Sequence, residues 1–331
     1  KLSPPLPLPP LPPKPIPKPR PLPPPSFLSA VHQGNNDWWR YLMAVGLIGS
    51  VFFVLTAALS TLALGLGWIS LAPDGSVTIR DPLVSYLLSH LPFGFLGLGL
   101  WWAVVGLHHR PCRTLIRACG SLRWGRMAQG AAIWLALIIS PLAVALLLNP
   151  GSLMPQVDWN QWLRLLGLAM VLTPMQIAVE ELFFRGYLLQ ASGLLTQKPW
   201  ILCLVNGILF MIVHLDNPET GYGLGWLALY YAGFGIFTTW ITLRDQGLEL
   251  ALGMHAANNG FVILLVSYGD AVVETPALFS ATSFDAAGVV LAFAVRALGF
   301  CALFFGIPGL RRDSVPPLQP QGSASEKPPG S

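Results

Sequence analysis

The stretch VEELFFRGYLLQ, residues 179–190, decides how the whole chain is read. It opens inside an apolar run and yet carries Glu180, Glu181 and Arg185. An ionised side chain near the middle of a membrane helix costs about 2.5–3.5 kcal/mol on insertion scales. Such residues persist there when they face one another or a functional site. The surroundings make the membrane reading hard to avoid: of 331 residues, 53% are hydrophobic and only 10% are charged, and mean hydropathy is +0.59. A soluble domain is roughly a quarter charged. The expected fold is therefore all-α, a polytopic helical membrane protein with about eight transmembrane helices and a polar intramembrane cavity.

Apolar segments near the length needed to cross a bilayer fall at 41–66, 84–107, 129–148, 160–190, 199–214, 223–243, 248–268 and 286–308. The fourth is too long for one straight crossing and contains Pro174, so a tilt, kink or partial re-entry is expected. Residues 1–36 read as a disordered proline-rich arm, 37–310 as the helical transmembrane domain and 311–331 as a disordered tail. The arm suits a stiff tether near anionic lipid, with a docking ligand for a proline-reading module as the alternative.

Charge sets the orientation. The loop 108–127 carries Arg110, Arg113, Arg117, Arg123 and Arg126, and alternation puts the arm, Lys198, Arg244, Arg311 and Arg312 on the same side. Opposite loops hold Asp74, Asp158, Asp216, Glu219, Asp270, Glu274 and Asp285. Both termini are thus expected in the cytoplasm, in a multi-pass protein of the plasma membrane or an internal membrane. The net charge of +4 is a topology signal and not a nucleic-acid footprint. Trp38, Trp39, Trp162, Trp200 and Trp226 are expected in the interfacial belts. Cys112, Cys119, Cys203 and Cys301 form no CxxC or Cys/His pair, which argues against a disulfide framework or a zinc knuckle.

On a helix Glu181 and Arg185 are four apart and pair, while Glu180 points about 100° away and is left free for general-base work. In NGILFMIVHLDNP, residues 206–218, Asn206, Phe210 and His214 recur every fourth position. In GMHAANNGF, residues 253–261, His255 and Asn259 do the same. Such spacing turns polar groups toward one another and away from lipid. If the fourth helix runs to about Gln197, Glu180 and His214 share a depth, roughly 25 Å from the cytoplasmic rim. His32, His90, His108 and His109 lie at loops or span ends, where a solvated imidazole needs no further explanation.

Taken singly, each residue has a plain structural reading. Glu181 and Arg185 make a helix staple, Glu180 a carboxyl bonded to a neighbouring span, His214 a satisfied core histidine, and Asn259 interhelical glue. Together, in this order, EELFFR, FMIVH and HAANN resemble the CAAX protease and bacteriocin-processing family of intramembrane glutamic endopeptidases, related to the Ras-converting CAAX prenyl endopeptidase. The resemblance covers roughly residues 160–270. It implies that Glu180 activates a water with help from His214, and that Glu181 and Arg185 hold the local geometry with Phe210 in support. It further implies that His255 and Asn259 face the developing oxyanion.

The implied substrate is a membrane-embedded peptide or protein, lipidated or not, cleaved within the bilayer and without nucleic acid. No cofactor is expected. The alternative is a zinc enzyme with Glu180, His214 and His255 as ligands, although there is no HExxH pair. A non-catalytic scaffold or peptide-toxin immunity protein is the reading from another class. Arg296, near the middle of the last span, is unexplained: it could pair with the glutamates, face a wet cavity or mark a later span start.

Overall fold

The computed structural model describes residues 26–73, 75–268 and 275–306. Most of the proline-rich arm, the C-terminal tail and the acidic residues Asp74, Asp270 and Glu274 lie outside the described residues, as do Arg311 and Arg312.

The chain is nearly all helix, in the order α1 Trp38–Gly65, α2 Pro82–Trp102, α3 Trp124–Leu148, α4 Trp159–Glu181, α5 Leu189–Ser192, α6 Pro199–Ile212, α7 Leu224–Asp245, α8 Glu249–Leu264 and α9 Ala286–Gly306. A π turn, Ala103–Leu107, extends α2, and a second, Leu182–Leu188, joins α4 to α5. The helices start where the sequence supplies caps. Asp81 accepts from the Leu83 amide at 2.8 Å with Pro82 in the first turn, and Asp158 accepts from the amides of Asn160 and Gln161 at 3.0 and 3.1 Å. Helix α7 ends on Gln246 in the left-handed conformation, φ 55°.

Six of the described helical stretches are long and apolar enough to cross a membrane, including Pro82–Leu107 and Trp159–Ser192. The expected eight crossings are therefore not all full-length. The 14 residues of α6 reach about 21 Å and the 16 of α8 about 24 Å at 1.5 Å per residue, short of a hydrocarbon core of about 30 Å. By contrast, Trp159–Ser192 has 34 residues, about 51 Å by the same rise, so it must tilt or project. Pro174 sits inside it without ending it.

Buried charges join loop 108–123 to the junction of α7 and α8. Arg123, just before α3, meets Asp245 at 2.7 Å and Glu249 at 2.7 Å, and Arg117 lies 3.5 Å from Glu249. Loop 108–123 and the α7–α8 junction therefore share one end. Segment 26–36 reaches the same end and corrects its assignment to a disordered arm. A 3-10 helix, Leu28–Gln33, buries Phe27, Leu28, Ala30 and Val31, and the Phe27 amide donates to Gln246 Oε1 at 2.8 Å. Its apolar residues Phe27 and Leu28 pack in one cluster with Ile177, Leu189, Leu202 and Leu248.

At the far end, strands β1 Ser70–Leu71 and β2 Val77–Thr78 form a hairpin. There β3 Leu153–Pro155, β4 Val266–Ser267 and β5 Phe279–Ala281 form a small sheet in the order β3-β5-β4. Trp162 is half-buried here and donates to the Leu264 carbonyl at 2.9 Å, unlike Trp38, Trp39, Trp200 and Trp226, which are exposed.

Two close helix crossings fix the site's frame. At Gly253 on α8, an added Cβ would stand 1.9 Å from the Met127 carbonyl oxygen of α3. At Gly207 on α6, it would stand 2.5 Å from Ile236 and 2.9 Å from the Ala232 carbonyl of α7. Around them packs an aromatic core that includes Trp134, Phe184, Phe210, Phe234, Phe237, Phe293 and Phe300.

Candidate active site

Glu180 and Glu181 are the last two residues of α4, where regular α geometry gives way to the π turn that carries Arg185. Such wide turns occur frequently at functional sites because they re-aim side chains. Both glutamates are buried, at 5% and 0% exposure, and Arg185 is at 0%. Arg185 Nη1 donates to Glu181 Oε1 at 3.0 Å, as the four-residue spacing predicts. Its guanidinium also lies 4.5 Å from the Phe210 ring centroid and 5.7 Å from that of Phe184. Phe210 thus supports the pair directly.

Glu181 does more than staple its helix. His255 Nδ1 lies 2.9 Å from the same Glu181 oxygen, and His255 Nε2 lies 3.7 Å from Glu180 Oε2. A carboxylate only accepts, so Nδ1 carries the hydrogen and Nε2 is turned to Glu180. The edge of Phe234 packs on the imidazole at 4.9 Å, and the crossing at Gly253 sets its height two residues away.

Glu180 stands outside the ion pair. Gln176, one turn earlier, donates from Nε2 to Glu180 Oε1 at 2.9 Å. The other end of the same amide, Oε1, accepts from Asn259 Nδ2 at 3.4 Å. Asn259 Oδ1 accepts in turn from Asn258, whose own Oδ1 takes the Trp134 indole N–H at 3.2 Å. Glu180 and Asn259, on different helices, are thereby joined through one glutamine. The i,i+4 spacing of Gln176 and Glu180 was the available signal for it.

His214 is not on a helix. It follows α6 by two residues, in a turn, with Nδ1 donating to the Phe210 carbonyl at 2.7 Å. Glu180 is near enough to act on it electrostatically. Depth agrees without the helix reaching Gln197: Glu180 is about 18 Å along the helix from Ser192, and α6 rises about 21 Å from its start near Lys198.

Two histidines read as solvated are buried instead. His108, at 3% exposure, bonds Tyr187 and the Asn35 carbonyl, at 2.9 and 2.8 Å. His90, at 5%, lies within α2, holds the Tyr86 carbonyl at 2.8 Å and is also within electrostatic reach of Glu180. Composition alone reads α2 as a plain span, and its packing on α4, through Tyr86 on Thr173, Gly94 on Met175 and Gly97 on Val179, brings His90 to this level. Arg296 does not join the glutamates. Its Nε returns to the Ala292 carbonyl at 3.0 Å and its guanidinium lies 5.9 Å from the Trp134 ring.

The zinc alternative needs Glu180, His214 and His255 to converge on one point. Among the described residues no group of three His, Cys, Asp or Glu side chains is placed to hold a metal ion. His255 Nδ1 is bonded to Glu181 and His214 Nδ1 to a carbonyl, which leaves Nε2 as the ring nitrogen each could offer to a metal.

The arrangement thus offers a buried carboxylate whose neighbour Glu181 takes the direct ion pair with Arg185, two imidazoles near it and an amide donor beside them. The family model described as "Type II CAAX prenyl endopeptidase Rce1-like" matches residues 158–261, a range that holds Glu180, Glu181, Arg185, His214, His255 and Asn259. Over 265 residues the chain is 36% identical to the uncharacterized protein YyaK of Bacillus subtilis (strain 168), spanning 78% of this chain and 87% of that one. The chain belongs to the Rce1-like family. No solved structure matches it. The Rce1-like family is one of proteases, and with six helices among the described residues long and apolar enough to cross a bilayer this member is an integral membrane protein. The matched segment excludes α1 to α3, so His90, Trp134 and the α3 face of the Gly253 crossing are contributed from outside it.

Proposed function

We propose that this chain is an intramembrane endopeptidase that hydrolyses a membrane-associated peptide or a prenylated-type C-terminus with a water activated by Glu180. The observation that carries the reading is the division of labour between adjacent carboxylates. Glu181 is bound to Arg185 and His255, whereas Glu180 is held by a neutral amide and keeps an oxygen toward His255 Nε2.

Peptide hydrolysis needs a base for the water, donors for the oxyanion and a proton for the leaving amine. Glu180 takes the proton from water as the oxygen adds to the carbonyl carbon, and His214, held through Nδ1, supports it through Nε2. Asn259 Nδ2 donates to the tetrahedral oxyanion, and His255 joins it as the imidazolium, with a hydrogen on Nε2 besides the one Nδ1 gives to Glu181. The proton on Glu180 then passes to the departing nitrogen. Glu181 and Arg185 act through His255, whose ring they hold in place.

The purified protein in lipid vesicles, given membrane-anchored peptides with and without a prenyl tail, tests this. Mass spectrometry should find a new C-terminus at one bond, and cleavage should persist in a strong zinc chelator. Loss of activity in chelator with recovery on zinc would favour the metal alternative. No cleavage of any peptide, alongside a cellular phenotype untouched by Glu180→Gln and His214→Ala, would favour the scaffold or immunity reading.

A further inference from the structure

His214 presents a mechanical problem. It lies beyond the end of α6, so its own helix does not fix its side chain, and one bond from Nδ1 to the Phe210 carbonyl leaves the ring free to swing. Two aromatic faces prevent this. Phe210 stacks on one side at 4.2 Å with 29° between planes, and Tyr231 stacks on the other at 4.7 Å with 28°. Tyr231 comes from α7 and is itself fastened. Its hydroxyl donates to Glu219 and accepts from Asn217 Nδ2 at 3.0 Å, while Asn217 Nδ2 also reaches Glu219 at 3.4 Å. Glu219 is buried, at 4% exposure, although the sequence suggested a loop acid facing water. Asn217 caps and Glu219 lies in the short 3-10 helix Pro218–Tyr222 that follows the His214 turn, and the Asn217 amide donates to the His214 carbonyl at 3.3 Å.

We propose that Tyr231 is a positioning residue for His214, and that Glu219 and Asn217 are its tether. The loop after His214 reaches over to α7 and holds the ring that flattens the imidazole against Phe210. With its plane and Nδ1 both fixed, His214 has a single direction left for Nε2. This rests on the peptidase reading. A bland alternative is a loop staple that stabilises the fold and leaves turnover alone.

Kinetics on the full-length protein in vesicles separate the two, with Tyr231→Leu, Tyr231→Phe, Asn217→Ala and Glu180→Gln measured beside the wild type for kcat, KM and thermal midpoint. Misplacing a catalytic group by about 1 Å can cost about 100-fold in rate. Tyr231→Leu, which removes the stacking face, should lower kcat about 30- to 100-fold with KM changed less than about twofold. Tyr231→Phe and Asn217→Ala, which keep the face and cut the tether, should lower kcat about 3- to 10-fold. Wild-type kcat in Tyr231→Leu, or a loss confined to KM or thermal midpoint, overturns the proposal. Should Tyr231→Leu fail to fold, the other two decide, and unchanged kcat in both overturns it. An inactive Glu180→Gln beside a fully active Tyr231→Leu rejects the positioning role alone, whereas a fully active Glu180→Gln rejects the peptidase reading itself.

Discussion

His255 donates from Nδ1 to Glu181 at 2.9 Å, across the gap between α8 and the end of α4. The contact ties an imidazole to the carboxylate that also holds Arg185, so three side chains from two segments behave as one buried unit. Removing one partner from a buried charge pair costs about 3–5 kcal/mol, because the other is left uncompensated. Glu181→Ala should therefore lower the thermal midpoint sharply and reduce folded yield, measured by fluorescence-detected size exclusion in detergent. Wild-type stability in that variant would show that the guanidinium finds water instead.

Gln176 should affect rate more than fold. It is half-buried and its amide spans Glu180 and Asn259. Gln176→Ala is expected to lower kcat about 10-fold or more, in the range for losing one aligned polar contact at a reacting centre, with a small change in midpoint. A steady-state assay checks this, and an unchanged kcat would release Gln176 from the site.

The α3–α8 crossing should not accept a side chain at position 253. The Met127 carbonyl is backbone and cannot move aside cheaply. Gly253→Ala should destabilise by at least about 1–3 kcal/mol, the usual cost of overpacking, and Gly253→Val by more. Denaturation in mixed micelles reads the difference, and a neutral Gly253→Val would refute the close approach.

Acid should weaken the end of the bundle that carries His108. Burial pushes the His108 imidazole below its usual range; its bond to the Asn35 carbonyl opposes this, and the nearby Arg110 and Arg40 add to it. A histidine with a lowered folded pKa binds its proton more readily when unfolded, so its contribution is present above about pH 6.5 and is lost as pH falls through that value. Thermal midpoints between pH 7.5 and pH 5.5 should decline less steeply in His108→Gln than in the wild type. Parallel profiles would dismiss His108 as a contributor.

The membrane class, the residue order of the motifs and the Glu181–Arg185 pair were legible because composition and four-residue spacing are local properties of a chain. The partner of His255 was not, since Glu181 lies 74 positions away and only the α3–α8 and α4–α8 packing brings it near. The same limit hid His90 and Tyr231, which sit in helices that composition alone reads as plain spans. The lengths of α6 and α8 were not legible, because apolar length does not reveal where a helix stops, and α6 stops two residues before His214. Segment 26–36 was misjudged because the prolines before it dominate the local composition, while Phe27, Leu28 and Val31 are the residues that pack.

The most direct measurement compares wild-type protein with Glu180→Gln, purified into the same vesicles and given the same membrane-anchored peptide. The exchange keeps shape and hydrogen bonding to Gln176 while removing the base, so the thermal midpoint should hold and the cleavage rate should fall about 100- to 10,000-fold. A folded Glu180→Gln protein that cuts at the wild-type rate would contradict the assignment of Glu180 as the group that activates water.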